Sequence, residues 1–546
     1  MSRVASRRAI KETVEAMKIS SVTIKNHGRF PDCTLDVREN LILVGPNGSG
    51  KSSFIRCLDL LLGKTTQQLY YNIHSSDFED TERPLSIEAK ITNLTKDELS
   101  FFPDEVDVSD ESLTVRLEAT LDGEDLTINR YFPKGAGNGT LTSAQLKSIG
   151  WSMIPSNFST KSLSSGRNTI VDDYLKKIDA SGDEAEIANA ISSLCSAIDS
   201  SSAFDGALSS LASQLDPALE GGMAVANLRF VPGAAIDGNL LSDIRLQIKS
   251  KSGVMREATE QSDGTKALIS FTIFGLLNSG GIIAIDEPET HLHPSAQRNL
   301  MHILQNSGRQ LVVATHSGVV AGEFNPDNIV VTREGSVPKQ PNRGFLQKDQ
   351  KTLARWWISS RIELLTARHI IAVEGQSDRM VLERVAELTG CRLERDGVEI
   401  LEAGGCGEMP HIMSIFGENG FGAQVSILID EDAEEDTASA LDIATKDLAS
   451  KSIYVSRKDL EDEYVSAIEA IELWKELRKS SLFTPNMLNT CNIANGASAP
   501  GEIELADFCR RKKNKIACAV VACGLLKNAS AQKVSSVVEV LQNAIR

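Results

Sequence analysis

Gly45-Pro46-Asn47-Gly48-Ser49-Gly50-Lys51-Ser52 fills every position of the phosphate-binding pattern G-x-x-x-x-G-K-[ST]. Its flanks are those the pattern requires. Leu41 to Val44 ahead of it is an unbroken apolar run, as a buried parallel strand needs. Behind it, Phe54, Ile55, Leu58, Leu61 and Leu62 recur at helical spacing until Gly63 supplies a stop. A glycine-rich turn between strand and helix lets backbone N–H groups wrap phosphates at the positive end of the helix. Asn47, Gly48, Gly50, Lys51, Ser52 and Ser53 are therefore the expected ATP contacts. Lys51 would reach the β- and γ-phosphates, and the Ser52 hydroxyl would ligate magnesium.

A second ATPase element lies farther along the chain. Ile282-Ile283-Ala284-Ile285-Asp286-Glu287 is an apolar strand that ends in two acids, the Walker B pattern. Asp286 would hold the magnesium, and Glu287 would orient or deprotonate the attacking water. Around these pieces, Lys18 to Ile24 alternates as an opening strand. Leu85 to Ile91, Leu113 to Ala119 and Leu126 to Phe132 alternate like half-exposed strands of an antiparallel subsheet, with Asp122-Gly123 as a turn. Residues 160–222 turn to Ser, Ala and Asp. There Ile187, Ile191, Leu194 and Ile198, then Phe204, Leu208, Leu211 and Leu215, imply two amphipathic helices inserted in the ATPase, a candidate dimerisation segment.

The chain has 546 residues, too many for one core, so two or three domains are expected. Hydrophobic content of 41% and charged content of 24% are those of a soluble globular protein. No run of apolar residues is long enough for a membrane span. The basic N-terminus (Arg3, Arg7, Arg8, Lys11) lacks the apolar stretch of a secretory signal. The nine cysteines form no C-x-x-C pair, which argues against zinc and disulfide frameworks and for a reducing cytoplasm. A net charge of -17 argues against a passive DNA-coating protein but not against a nuclease, because bound metals offset carboxylate clusters locally. Arg510, Arg511, Lys512, Lys513 and Lys515 form one candidate basic patch.

A second chemistry begins after a Pro- and Gly-containing stretch, read as a linker over 336–365. Ile370 to Val373 is a strand, and Glu374-Gly375-Gln376-Ser377-Asp378 follows it into a helix that Gly390 ends. Glu374 sits at the strand tip and Asp378 one turn on, so both carboxylates can face one site. Val425 to Ile429 is the next strand, and it ends Asp430-Glu431-Asp432. Four oxygen donors, Glu374, Asp378, Asp430 and Asp432, suit Mg2+ or Mn2+. They could hold two metals about 3.5–4 Å apart, one to activate water and one to stabilise the leaving oxygen. Packed without a cation, they would repel one another.

Gln261-Ser262-Asp263-Gly264-Thr265-Lys266 resembles an ABC signature, departing from the transporter form in having Asp263 before Gly264. Asp286 to Pro294 (DEPETHLHP) resembles the Walker B and D-loop of the overcoming-lysogenization-defect (OLD) ATPases. Met17 to Ser53 is similar to the opening of SMC/RecF-type heads. The carboxylate pattern with Ala403-Gly404-Gly405-Cys406-Gly407 resembles the Toprim domain of OLD nucleases. The resemblance implies an α/β chain of two parts. Residues 1–335 would be an ABC-type P-loop ATPase with an antiparallel β-subdomain and the 160–222 helical insertion. Residues 366–546 would be a C-terminal Rossmann-like Toprim domain. It also implies that Ser262 and Gly264 contact the γ-phosphate bound by a partner subunit, hence a homodimer or higher oligomer, and that His316 is the switch histidine. Gln67 and Gln68 are candidates for the Q-loop glutamine. Glu461, after the D-x-D, and Lys515 match the family's supporting acid and late lysine, with Lys512 or Lys513 as substitutes for the latter. The expected activity is ATP-dependent, metal-dependent endonucleolytic cleavage of DNA. A role in prokaryotic antiphage defence would match family members such as the Gabija nuclease subunit, with a second defence-system protein as a partner. The alternatives are a Toprim effector that cuts RNA such as tRNA, or an SMC-like ATP-gated nucleic-acid sensor without nuclease activity.

Overall fold

This computed structural model describes residues 17–123, 125–134, 139–154, 193–219, 222–232, 244–250, 253–277, 281–494 and 497–545. The basic N-terminal arm, Ile187 and Ile191 lie outside them. The chain divides into two units, Met1–Pro338 and Lys339–Arg546.

In the first unit β1 (Lys18–Lys25), β2 (Cys33–Asp36) and, after the P-loop, β4 (Leu85–Thr92), β5 (Val106–Asp107), β6 (Ser112–Asp122) and β7 (Asp125–Tyr131) form an antiparallel sheet. Its order is β2-β1-β4-β6-β5, with β7 on β6. The period-2 pattern read from the sequence is what builds it: Leu85, Ile87, Ala89 and Ile91 of β4 all point inward and are fully buried. A second sheet is wholly parallel, β14-β3-β13-β12-β8, from β3 (Leu41–Val44), β8 (Trp151–Ile154), β12 (Ile282–Asp286), β13 (Gln310–Thr315) and β14 (Ile329–Val331). Helix α1 (Lys51–Leu62) contributes to one hydrophobic core with both sheets. Phe54, Ile55, Leu58, Leu60, Leu61 and Leu62 are all buried, so α1 has almost no wet side. A short helix α2 (Thr66–Asn72) follows.

Of the inserted segment, α3 (Ser202–Leu215) is a helix as the spacing predicts. It buries Leu211 and Leu215 and packs on α4 (Asp263–Leu277), while Phe204 meets Phe230 with centroids 5.7 Å apart. A three-stranded antiparallel sheet, β11-β10-β9, completes the unit from β9 (Leu228–Pro232), β10 (Ile244–Lys249) and β11 (Met255–Glu257). Helix α5 (Pro294–Gln305) follows β12.

The second unit corrects the linker reading. Within 336–365 the chain forms α6 (Lys348–Ser360), with Trp357 only 2% exposed and its ring centroid 5.9 Å from that of Phe416. Apolar residues every third or fourth position, Ala354, Trp357 and Ile358, make it a packed helix, and the Pro and Gly signal belongs to the turns before it. The parallel sheet β16-β15-β17-β18 is built from β15 (His369–Val373), β16 (Val398–Glu402), β17 (Gln424–Asp430) and β18 (Ile453–Ser456). Helices α7 (Gln376–Thr389) and α8 (Met409–Phe416) cross between strands. A C-terminal helical layer shares one core with α7: α9 (Leu460–Ile468), α10 (Ala470–Lys479), α11 (Glu502–Cys509), α12 (Lys515–Leu525) and α13 (Ser535–Ala544), of which α12 and α13 pack on α7 itself. No helix among the described residues is long and apolar enough to cross a membrane.

Two adjacent tryptophans test the packing of α6. Trp357→Ala should cost about 3–5 kcal/mol, read as a lowered unfolding midpoint. Trp356→Ala, at a side chain 63% exposed, should change stability by less than about 0.5 kcal/mol. Equal effects would mean that α6 is not seated as described.

Candidate nucleotide and metal sites

The P-loop closes between β3 and α1. Gly50 holds φ 91°, in the left-handed region, and a Cβ there would lie 2.6 Å from the Arg29 carbonyl oxygen, so only glycine fits. Asn47, Gly48, Gly50, Lys51, Ser52 and Ser53 line one cleft of about 600 Å3, together with Glu287 and His316. The Ser52 hydroxyl donates to Asp286 Oδ1 at 3.0 Å. These are the two protein oxygens that a nucleotide-bound magnesium uses beside phosphate oxygens and water, so the residues present fit the ion. Lys51 Nζ donates to the carbonyls of Gly45 and Pro46 at 2.9 and 3.0 Å. Burial lowers its pKa, against the pull of Glu287, Asp286 and Glu289. Burial raises the Asp286 pKa.

Glu287 stands at φ 51°, which turns its side chain off the strand end; its Oε1 lies 3.7 Å from His316 Nε2. Burial, helped by Lys51, lowers the His316 pKa and keeps the imidazole neutral near pH 7. Sequence reading passed over Glu289, two residues beyond the Walker B pair. Its carboxylate accepts from Thr315 Oγ1 at 2.8 Å and from the His316 N–H at 2.6 Å, and so holds the strand end that carries His316. Its signal was the extra acid in Asp286-Glu287-Pro288-Glu289.

Ser262, exposed, and Gly264, half-buried, sit at the start of α4, outside the cleft wall that the described residues form. The Ser262 hydroxyl pairs with Thr265 Oγ1 at 3.0 Å. Neither glutamine candidate lines the cleft. Gln68 closes a capping box with Thr65 at the start of α2, and Gln67 is exposed.

In the second unit, the strand tips of β15 and β17 bring Glu374 and Asp430 together with Asp378, in the first turn of α7. The glycine motif is tied to the same tip, since the Gly404 N–H donates to the Glu374 carbonyl at 3.0 Å, with Gly404 and Gly405 at φ 85° and 139°. Lys515, at the start of α12, places its ammonium 3.5 Å from Asp430 Oδ2 and 3.7 Å from both Asp378 Oδ1 and Glu461 Oε2. Glu461 is 1% exposed, and neither carboxylate oxygen has a hydrogen-bond partner. Of the three lysines read as candidates, Lys515 alone enters the cluster; Lys512 and Lys513 are exposed.

Burial, with Asp430 and Asp378 adding to it, pushes Glu374 up to about 7. Burial pushes Glu461 up to about 8 against the pull of Lys515, and it raises Asp430 as well. For Lys515 burial works downward, but Asp378, Glu461, Asp430 and Glu374 outweigh it and hold the ammonium well above its ordinary range.

The four-carboxylate ligand set is not assembled as the sequence suggested. Among the described residues no three acidic, His or Cys side chains stand together at metal-ligand spacing. The cause is local. Asp378 is turned to accept from the Gly375 N–H at 2.9 Å, Asp430 Oδ1 accepts from the Leu460 N–H at 3.1 Å, and Asp432 is exposed. The Lys515 charge supplies the neutralisation that mutually repelling carboxylates require. The donor set is still all oxygen, and the Glu461 oxygens, beside Lys515, accept no hydrogen bond among the described residues. These residues fit a divalent cation.

The strand–P-loop–helix, the Walker B acids and the carboxylate-tipped parallel sheet define an ABC-type P-loop ATPase joined to a Toprim unit. A family model described as an AAA domain, AbiEii toxin, Type IV TA system, matches residues 41–321, more than half of the chain. The chain belongs to that family, and its second unit matches the Overcoming lysogenization defect protein-like TOPRIM domain over residues 365–432. It is similar to the Old nuclease of Escherichia phage P2, 23% identical over 76% of this chain and 77% of that one. It is also similar to Endonuclease GajA of Bacillus cereus (strain VD045), 23% identical over 71% of each. Among solved structures, the C-terminal region of the Xanthomonas campestris pv. campestris OLD protein aligns at 20% identity over 34% of this chain and 96% of that one, with a TM-score of 0.28. The Smc head domain of Pyrococcus furiosus aligns at 13% identity over 59% and 95%, with a TM-score of 0.39.

Proposed function

We propose that the protein is an ATP-regulated, metal-dependent endonuclease that hydrolyses DNA phosphodiester bonds. The observation that carries this reading is the convergence of Glu374, Asp378, Asp430, Glu461 and Lys515 at one end of a parallel sheet. A structural ion pair needs two of these groups. Five at the carboxyl ends of parallel strands, one of them a buried carboxylate without a hydrogen bond, suit phosphoryl chemistry. The names of the relatives, a nuclease and an endonuclease, support it.

Glu374, Asp378, Asp430 and Asp432 would hold Mg2+ or Mn2+, two ions in the proposed form, which lower the pKa of bound water and neutralise the leaving oxygen. Lys515 would stand against the charge that develops on the scissile phosphate. Glu461 would hold Lys515 in place. In the first unit, Lys51, Ser52 and Asp286 would bind the nucleotide's phosphates and magnesium, and Glu287 would take the proton of the attacking water. Ser262, exposed, and Gly264, half-buried, both outside the lining of their own nucleotide cleft, would complete the site of a second copy, and His316 would sense the γ-phosphate. Antiphage defence is the biological setting proposed.

Incubating the purified protein with supercoiled plasmid, with Mg2+ or Mn2+, with and without ATP, tests the reading. Nicked or linear product that EDTA abolishes, in an amount that ATP changes, is the expected result. Cleavage of RNA but not of plasmid would overturn the DNA assignment. Cleavage indifferent to ATP would overturn the regulatory half.

A further inference from the structure

The basic stretch Arg510 to Lys515 is not one patch. Arg510 is spent on an ion-pair network with Asp459, Asp462 and Asp507, with Nε 2.7 Å from Asp459 Oδ2 and Nη1 3.0 Å from Asp507 Oδ1. Arg511 donates to the Thr490 carbonyl and hydroxyl, both at 3.0 Å, and lies over the Phe508 ring. Lys515 is turned in among the carboxylates. Lys512 and Lys513 remain, exposed, with no side-chain partner among the described residues.

The Arg510 network brings a remote segment to the same place. Asp459 and Asp462 open α9, directly after the strand β18 that pairs with β17 beside Asp430. Arg457, two residues before Asp459, is exposed, and its side chain has no partner among the described residues. Its neighbour Lys458 is hydrogen-bonded through its backbone to Glu431, inside the D-x-D turn, at 2.9 and 3.1 Å. Two segments distant in sequence thus carry three uncommitted cations within a few residues of positions tied to the carboxylate cluster: Arg457 next to Ser456, which pairs with Asp430, and Lys512 and Lys513 just ahead of Lys515.

We propose that Arg457, Lys512 and Lys513 form a contact surface for the phosphate backbone of duplex DNA, which seats the scissile phosphate at the carboxylate–Lys515 cluster. The inference rests on the nuclease reading above and adds where the substrate is held. A chain of net charge -17 repels a polyanion at long range, and an acidic catalytic cluster repels it again. A local rim of free cations offsets that repulsion by releasing counterions from the DNA, without reading its sequence. Cations already paired within the fold cannot serve, and that singles out these three from their neighbours.

The test is equilibrium binding of a short labelled DNA duplex to the full chain, without divalent metal, over a series of salt concentrations. The Arg457→Ala, Lys512→Ala, Lys513→Ala triple variant should bind about tenfold more weakly at low salt, with a salt slope shallower by about 2.7. The loss should be the same for unrelated duplex sequences. The charge-preserving variant Arg457→Lys, Lys512→Arg, Lys513→Arg should recover the wild-type slope, which separates charge from folding. An alanine variant with wild-type affinity and slope overturns the proposal, as does a wild type that binds single-stranded RNA but no duplex DNA, or binds neither. A wild type that binds the duplex through these residues yet cuts nothing with any divalent metal upholds the surface and overturns the nuclease reading.

Discussion

Asp430→Asn should reduce metal-dependent cleavage about a thousandfold and leave the fold intact. The carboxylate lies between two functions. Oδ1 accepts the Leu460 N–H at 3.1 Å, a bond an amide oxygen can also accept, so the start of α9 keeps its anchor. Oδ2 faces Lys515 at 3.5 Å, and there the substitution removes a full negative charge from the proposed cation site. A loss of about 4 kcal/mol of transition-state stabilisation corresponds to that factor, and one ligand of a catalytic cation supplies energy of this order. Plasmid cleavage rates with Mg2+ and Mn2+, set beside the unfolding midpoint, check it. A variant that cuts at more than a tenth of the wild-type rate would remove Asp430 from the catalytic site.

Lys51→Ala should lower ATP hydrolysis by about a hundredfold or more, the range seen when one preorganised charge donor is removed from a transition state. The side chain is 4% exposed, and its ammonium is held by the carbonyls of Gly45 and Pro46 beside the Walker B acids. Burial leaves this cation poorly solvated, which is what lowers its pKa, and a charged phosphate oxygen pairs with it better than two neutral carbonyls do. In the proposed regulation, cleavage by Lys51→Ala loses its response to ATP while cleavage without ATP persists. Steady-state phosphate release and plasmid cleavage from one preparation measure both. Full hydrolysis by the variant would exclude the P-loop as the catalytic nucleotide site.

The parts of the protein legible in its sequence were those whose chemistry is local. The P-loop between Leu41–Val44 and α1, the alternation of Leu85, Ile87, Ala89 and Ile91, and the acids at the ends of β12 and β17 each declare themselves within a dozen residues. What the local pattern alone could not place needed distant partners, even where the family resemblance had named the residue. Glu461 and Lys515 read equally well as surface residues from the local pattern, because charged side chains usually are, and only the packing of α12 against α7 and α9 turns them inward. The same applies to α6, where Trp357 is buried by Phe416, a residue the local pattern cannot supply. The carboxylate quartet was found as a set of residues but not as a geometry, since the backbone groups that bind Asp378 and Asp430 leave no mark in side-chain identity.

The strand order of the first unit sets a timetable for its synthesis. The P-loop strand β3 lies between β13 and β14, and the Leu311 N–H that bonds Asn40 Oδ1 comes 271 residues later in the chain. At about 5–20 residues per second, the ribosome needs roughly 15–55 s to deliver it. Through that interval the nucleotide loop has no neighbouring strand. The antiparallel sheet, by contrast, is complete once Tyr131 emerges, and its apolar face receives one side of α1. The nascent chain can therefore shelter α1 on that sheet well before the second wall of its core exists, which makes the N-terminal sheet a holding platform during translation as well as a layer of the finished protein.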